Sequence, residues 1–164
     1  MRYGHHDELS WLSFEEPIRY TECRELKAFL DQVVIPEMAD TMVIDLRDVP
    51  SIDSTGLGLL ASIGRHSLDH LSRRAVILCP EGQVSQTLKA MQFDKLFNFT
   101  STLEKPAELR LAPVEVCAKA EPLATVMLEA HKELSEVDER NKQRFSDVVE
   151  VLEQAVTRGN TGSS

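Results

Sequence analysis

The chain reads Val49-Pro50-Ser51-Ile52-Asp53-Ser54-Thr55-Gly56-Leu57-Gly58-Leu59-Leu60 between a strand pattern and a helix pattern, and this stretch decides the fold. The preceding run Met42–Leu46 is short, apolar and rich in β-branched residues, which predicts a buried strand. Apolar side chains after it recur at steps of three and four, which predicts a helix to about Ser72. Asp53 and Ser54 are favoured N-cap residues and open that helix at the positive end of its dipole.

The motif Asp53-Ser54-Thr55-Gly56-Leu57-Gly58, placed a short loop after Ile44-Asp45-Leu46, resembles the STAS family of anti-sigma factor antagonists. The resemblance covers roughly residues 13–98 and is strongest over residues 43–60. In that family the serine after the aspartate is phosphorylated, which implies phosphorylation of Ser54. The resemblance also implies a partner-binding surface formed by Asp53, Ser54, Thr55, Gly56 and Gly58.

The resemblance further implies a function without catalysis or cofactor. In the family's partner switch, the unphosphorylated protein binds an anti-sigma factor, usually a GHKL-type serine kinase, and thereby releases a sigma factor. The kinase phosphorylates the serine, and a PP2C-type phosphatase restores it. A phosphate adds about −1.5 to −2 charges, so it changes what a partner meets at the start of the helix.

Other interpretations of the same residues stay open. Ser54 could serve only as a helix N-cap, which is worth ~1 kcal/mol. The domain could be a phosphorylation-independent scaffold, or an accessory subunit of a signalling or lipid-transport complex. A third hypothesis is an enzyme that uses Asp45, Asp53 and Ser54. Intact mass after incubation with ATP and a kinase would discriminate among them.

Composition narrows the class of protein. The chain has 164 residues and a net charge of −9, and 42% of its residues are hydrophobic, which suffices for one packed core. The acidic balance argues against a nucleic-acid surface, because phosphate contacts need a basic stripe. No apolar run approaches the ~20 residues that span a membrane, and the first residues do not resemble a signal peptide. Three scattered cysteines are typical of reduced thiols, so we expect a cytoplasmic protein.

Other elements follow from local patterns. We expect an edge strand at Leu9–Phe14, a helix capped by Thr21 and stopped by Pro36, and an unstructured segment around His5, His6 and Asp7. Further predictions are a strand over 75–79, a helix over 83–91 and a short strand over 97–99. Alternating strands and helices indicate an α/β fold with a mostly parallel sheet. Because few residues precede the first helix, we expect the family's initial paired strands to be abbreviated.

The remaining residues predict an extension with helical character. We assign 1–112 to the STAS-like domain, 113–122 to a linker, 123–158 to a helical extension and 159–164 to a disordered tail; a short strand around Val114, Val116 and Cys117 is an alternative within the linker. The extension is either one helix of ~50 Å or a helical hairpin. Its two apolar seams are Leu123, Met127, Ala130, Leu134 and Val137, then Phe145, Val148, Val149, Leu152 and Val156. A homodimer through this helix is one role for the second seam.

A pair of histidines and a pair of glycines in the helix after Asp53 lead to two further predictions. His66 and His70 have the i,i+4 spacing of metal ligands, but we expect them to face solvent and predict no metal site. Gly56 and Gly58 each weaken a helix by about 1 kcal/mol, so we expect them to allow close approach of another protein's backbone or tight packing of the helix on the sheet.

Overall fold

A six-stranded mixed sheet forms the centre of the computed structural model, which describes residues 1–115 and 120–161. Its strands are β1 (Arg2–His6), β2 (Leu9–Ser13), β3 (Thr41–Asp45), β4 (Ala75–Leu78), β5 (Phe97–Thr100) and β6 (Ala112–Pro113). They lie in the order β5-β4-β3-β2-β1-β6. Strands β2 to β5 pair in parallel, whereas β1 is antiparallel to both β2 and β6. The predicted α/β class with a mostly parallel sheet is therefore confirmed.

Five α-helices accompany the sheet in the described residues. They are α1 (Cys23–Phe29), α2 (Ser54–Leu71), α3 (Gln83–Ala90), α4 (Leu123–Glu136) and α5 (Glu139–Thr161). A π-helical turn, Leu30–Val34, continues α1, and a 3-10 turn, Phe93–Lys95, precedes β5. The predicted helices at α2 and α3 and the strands at β3, β4 and β5 are confirmed to within a residue or two.

The two faces of the sheet are covered by different parts of the chain. Alternate residues of the strands, such as Leu12, Ile44 and Ile77, belong to the main core, to which helices α1 to α5 also contribute. The opposite face carries a smaller cluster of Trp11, Val43 and Leu78, which Leu109 covers from the segment after β5. The helical face therefore holds most of the buried apolar surface.

Three predictions about the first residues were wrong. His5 and His6, expected with Asp7 to be unstructured, belong to β1, and Asp7 makes the hairpin turn to β2 with a positive φ of 50°. Two paired initial strands of five residues each are therefore present, rather than abbreviated ones. Strand β2 is not at an edge, because β1 pairs on one side and β3 on the other. The pattern Arg2–His6 has no apolar alternation, so only pairing with β2 reveals this strand.

The cap predicted for α1 was also wrong. The N-cap residue is Glu22, whose side chain makes no capping hydrogen bond, and the Thr21 hydroxyl donates to the carboxylate of Glu22 instead. The helix and the π-helical turn after it pack on the core through one apolar face. Its buried residues are Cys23, Leu26, Phe29, Leu30 and Val34.

The C-terminal extension is a helical hairpin, the second of the two predicted alternatives. Helices α4 and α5 run antiparallel, with Lys132 Nζ 2.7 Å from Glu153 Oε1 and the rings of His131 and Phe145 5.8 Å apart. Helix α5 passes through Gly159 to Thr161, so the predicted stop at Gly159 was wrong. Residues 162–164 of the predicted tail and residues 116–119 of the predicted linker lie outside the described residues.

The hairpin packs against the rest of the molecule through α4. Val126, Ala130 and Leu134 of α4 are fully buried in the main core. The predicted first seam is thus shifted by about one position, toward Val126 and His131. On α5 only Phe145 and Asn141 are buried, and Val148 and Val151 remain 40% and 64% exposed.

The corner between α4 and α5 is fixed to the end of α3. Asn141 donates from Nδ2 to the carbonyl of Met91 at 2.9 Å, and Arg140 donates to Gln92 Oε1 at 2.6 Å. Asp138 accepts from Lys95 and from Arg140. These contacts hold the hairpin in one position relative to the sheet.

Candidate functional site

Ser54 is the first residue of α2, at the end of the loop that follows β3. Its neighbour Asp53 is the N-cap residue, and Asp53 Oδ1 accepts from the Gly56 N–H at 2.9 Å. Asp53 Oδ2 accepts from the Tyr20 N–H at 2.7 Å. One carboxylate therefore caps α2 and also binds the loop that leads from β2 to α1, so the capping role belongs to Asp53 rather than to Ser54.

The hydroxyl of Ser54 contacts a residue that the sequence did not single out. Ser54 Oγ lies 2.9 Å from Nε2 of His131 on α4. The other ring nitrogen of His131, Nδ1, lies 2.7 Å from the carbonyl oxygen of Met127. Because a carbonyl can only accept, Nδ1 is the donor in that contact, and in this tautomer Nε2 accepts from the Ser54 hydroxyl. Ser54 is thus half-buried under α4, and the His131 side chain is 3% exposed.

Gly58 lies one turn further along α2, directly beneath the backbone of α4. A Cβ at Gly58 would lie 1.9 Å from the carbonyl oxygen of Ala130, a distance that no side chain can adopt. The backbone that approaches this glycine is the chain's own α4, rather than the backbone of another protein or the sheet. At Gly56 a Cβ would lie 2.7 Å from the Ile18 side chain, so this glycine admits the loop after β2.

Salt bridges surround this contact between α2 and α4. Lys27 Nζ lies 3.1 Å from Glu129 Oε2, and Arg65 Nε lies 2.8 Å from Glu133 Oε2. Burial alone would lower the pKa of Lys27, but hydrogen bonds to Asp31 and Glu129 outweigh it and raise that pKa. Basic side chains on α1 and α2 therefore face acidic side chains on α4.

A cleft of about 420 Å³ lies beside the same helices, between α1, α2 and α4. The charged side chains Lys27, Arg65, Glu129 and Glu133 line it, whereas Ser54 and His131 do not. A serine paired with a histidine is the arrangement that activates a nucleophile in many hydrolases. Here the pair is enclosed between two helices, and the group that orients the histidine is a carbonyl rather than a carboxylate.

Asp45, another acid considered for catalysis, interacts with Arg47 and not with Ser54. Asp45 is buried at the end of β3 and makes a bidentate pair with Arg47, with distances of 2.7 Å and 3.0 Å. The Asp53 carboxylate accepts hydrogen bonds from two backbone N–H groups, those of Tyr20 and Gly56. Neither carboxylate bonds to His131, so the proposed trio of Asp45, Asp53 and Ser54 does not form a catalytic constellation in this structure.

The predicted partner-binding residues are brought together, but this structure does not expose them as a surface. Asp53 and Ser54 are half-buried, and Thr55, Gly56 and Gly58 are buried. The sequence reasoning missed His131 and Ala130, which cover them. One signal was available: residues 54–64 contain no charged side chain, and a helix without a charged face is usually buried on all sides.

The histidines with metal-like spacing stack on each other. The rings of His66 and His70 lie 4.2 Å apart, and burial, followed by the charge of His70, lowers the pKa of His66. Residues 1–115 and 120–161 contain no group of three or more His, Cys, Asp or Glu side chains that could hold a metal ion. Among those same residues no helix has the length and apolar character needed to cross a membrane.

Comparisons with known proteins agree with this geometry. A solved structure from Thermotoga maritima, described as a candidate anti-sigma factor antagonist, matches with a TM-score of 0.55 at 20% identity. That match covers 62% of this chain and 86% of the other, and at this identity it shows the shared fold. A search of curated proteins found no match. The family model of the STAS domain matches residues 2–105, which is more than half of the chain. The chain therefore belongs to the STAS domain family.

Proposed function

We propose that this protein is an anti-sigma factor antagonist that acts by partner switching, with Ser54 as its phosphorylation site. The observation that supports this most is the position of Ser54 at the first turn of α2, directly after its N-cap, within a STAS domain. Asp53, Thr55, Gly56 and Gly58 would form the partner-binding surface with it. On this proposal residues 1–112 are the STAS domain and residues 123–158 are an added helical element.

The partners in this proposal are an anti-sigma factor that is a GHKL-type serine kinase and a PP2C-type phosphatase. Phosphorylation would place about −1.5 to −2 charges beside the Asp53 carboxylate, at a helix end that tolerates an anion. The domain itself could therefore accept the phosphate, whereas a partner surface that matches a neutral serine would not. Ser54 would be the kinase's substrate, so the protein needs no catalytic base or cofactor of its own.

One observation favours the alternative, a phosphorylation-independent scaffold or an accessory subunit of a signalling or lipid-transport complex. Ser54 is half-buried beside α4 and its hydroxyl is bonded to His131, so the hydroxyl is not free for a kinase in this conformation. A scaffold would not require that access. The two proposals differ in whether Ser54 gains a phosphate and in whether its charge controls partner binding.

The test compares partner capture by Ser54→Ala and Ser54→Asp variants of the full chain in the cells that express it. We expect Ser54→Ala to retain the kinase partner and Ser54→Asp to lose it, because the carboxylate mimics part of the phosphate charge. Ser51 is exposed and lies three residues earlier, so Ser51→Asp is the matched control for added charge. Intact mass of the wild-type chain should show a gain of about 80 Da, the mass of one phosphoryl group, that is absent in Ser54→Ala. Equal capture by both Ser54 variants, with no mass gain, would instead support the scaffold.

A homodimer through the C-terminal helix is a separate proposal. The exposed portions of Val148 and Val151 on α5 are the surface that a second copy would cover. Light scattering of wild type and a Val151→Glu variant tests it, since a charge at this position would oppose such a contact.

A further inference from the structure

The hairpin of α4 and α5 covers the same face of α2 that the proposed partner would use. His131 contacts Ser54, and Ala130 lies over Gly58, one turn along the helix. The backbone carbonyl of Ala130 would touch any side chain larger than a hydrogen at that position. With α4 in place, Gly58 is buried, and Ser54 is half-buried with its hydroxyl bonded to His131.

A phosphate on Ser54 would remove the hydrogen bond that joins the start of α2 to α4. The Ser54 hydroxyl donates to His131 Nε2 at 2.9 Å, and esterification removes the donated hydrogen. A phosphoryl group is also larger than the gap between the two atoms. A phosphoryl group on the line from Ser54 Oγ to His131 Nε2 would therefore displace α4 from Ser54.

Around the contact between α2 and α4, basic side chains of the domain face acidic side chains of α4. Acidic Glu129 and Glu133 on α4 pair with basic Lys27 and Arg65 on the domain. Arg24 adds a hydrogen bond from Nε to the Glu121 carbonyl at 2.8 Å, just before α4 begins. These interactions join the domain to the segment that includes α4, and they lie on both sides of the Ser54 and Gly58 contact.

We propose that the α4–α5 hairpin is an intramolecular cap on the Ser54 surface, which must open before a kinase or another partner can bind there. This inference rests on the proposed function. The cap competes with partners for one face of α2, so the apparent affinity of a partner is its affinity for the open form multiplied by the fraction of molecules that are open. A phosphate on Ser54, once added, would hold the cap open.

The test measures access to position 54 without any partner. A Ser54→Cys chain that also carries Cys117→Ser is labelled with a maleimide, and the labelling rate at position 54 is followed by mass spectrometry. Burial raises the pKa of the Cys23 thiol to about 12 and raises that of Cys79, so both native thiols react slowly. Ser51→Cys, at an exposed position in the same loop, gives the rate for an uncovered thiol.

Charge changes on α4 alone should open the cap. Glu129→Lys with Glu133→Arg places like charges opposite Lys27 and Arg65, and we expect position 54 to label roughly tenfold faster. Adding Arg65→Glu restores one opposite-charge pair and should slow the labelling again. An equal rate with native and reversed charges, or a native rate already equal to that of Ser51→Cys, overturns the proposal.

A second measurement covers the case in which the charge-reversed chain does not fold. Phosphoserine is introduced at position 54 during synthesis, and hydrogen exchange is compared between the hairpin and the sheet. We expect roughly tenfold faster exchange in α4 with the exchange of β3 unchanged, whereas phosphoserine at position 51 should change neither. Unchanged or slower exchange in α4 overturns the cap. Since neither experiment uses a partner, failure of the cap leaves the partner switch testable by the capture experiment above.

Discussion

At the scale of single residues, Asp53 and Ser54 have separate roles although they are adjacent. Asp53 accepts two backbone N–H bonds, one inside α2 and one from the loop before α1. The Ser54 hydroxyl is used only for the contact with His131 among the hydrogen bonds of the described residues. A change at Ser54 therefore alters a contact of the hairpin, while a change at Asp53 would alter the domain itself.

Gly58 should be the position most sensitive to a single added methyl group. Alanine favours a helix interior over glycine by about 1 kcal/mol, but its Cβ would lie 1.9 Å from the Ala130 carbonyl oxygen. Because both atoms belong to packed helices, we expect Gly58→Ala to push α4 off α2, with a net loss of about 1–3 kcal/mol in the free energy of unfolding. Denaturant unfolding and hydrogen exchange in α4 measure it.

Gly82 provides the control for that substitution. No atom lies within 4 Å of a Cβ built there, and its φ of 165° is extended backbone that any residue adopts. We expect Gly82→Ala to leave the free energy of unfolding within about 0.5 kcal/mol of wild type. If Gly58→Ala is equally neutral, the close approach of α4 to α2 is wrong.

At the scale of elements, the corner between α4 and α5 sets where the hairpin lies. Asp138 is the central residue of this corner. Its hydrogen bond to Lys95 and then that to the Arg140 N–H lower the pKa of its carboxyl below the usual range. These bonds connect the hairpin to the turn before β5, away from the Ser54 contact.

The lowered pKa of Asp138 predicts a pH dependence of hairpin packing. A carboxyl whose pKa is lowered by folding stabilises the folded chain above its ordinary pKa of about 4, and that contribution is lost as the pH falls. We expect Asp138→Asn to increase hydrogen exchange of α4 and α5 at pH 7, and the difference from wild type to shrink below about pH 4. Asp147→Asn, at an exposed position of α5, should have little effect at either pH. A difference at pH 7 that persisted at low pH would assign the effect to packing rather than to charge.

At the scale of the whole molecule, the hairpin completes the core rather than extending from it. Val126, Ala130, Leu134, Val137 and Phe145 belong to one cluster with Leu57 and Leu60 of α2. Full burial of a Val, Leu or Phe side chain stabilises by ~1.5–3 kcal/mol, and a domain has only ~5–15 kcal/mol in total. The hairpin thus contributes a large share of the stability.

This packing changes the result we expect from truncation. From the sequence, deletion after Pro113 should leave a folded domain; from the packing, we expect the shortened chain to melt at least about 10 °C lower or to aggregate. Deletion after Ser146 is the matched control, because residues 147–161 are exposed or only partly buried. It should change the melting temperature little. A stable, monomeric chain ending at Pro113 would show that the hairpin is dispensable for folding.

The sequence by itself determined the segment from β3 to α2 and the STAS fold built on it. Strand and helix periods and N-cap residues are local properties, so Met42–Leu46 and Asp53-Ser54 can be interpreted without knowledge of the rest of the chain. Strand β1 lacks such a local signal. Its polar residues become a strand only because β2 and β6 offer backbone partners on either side.

Only the tertiary structure decided what covers Ser54. His131 is 77 residues away in the sequence, and its ring reaches the serine because the chain returns across α2 as α4. A helical pattern specifies which face is apolar but not which distant element packs on it. The absence of charge over residues 54–64 indicates burial on more than one side, yet the side chain that meets Ser54 depends on where the hairpin corner is fixed. The residues of the switch can therefore be identified locally, while their accessibility is a property of the folded chain.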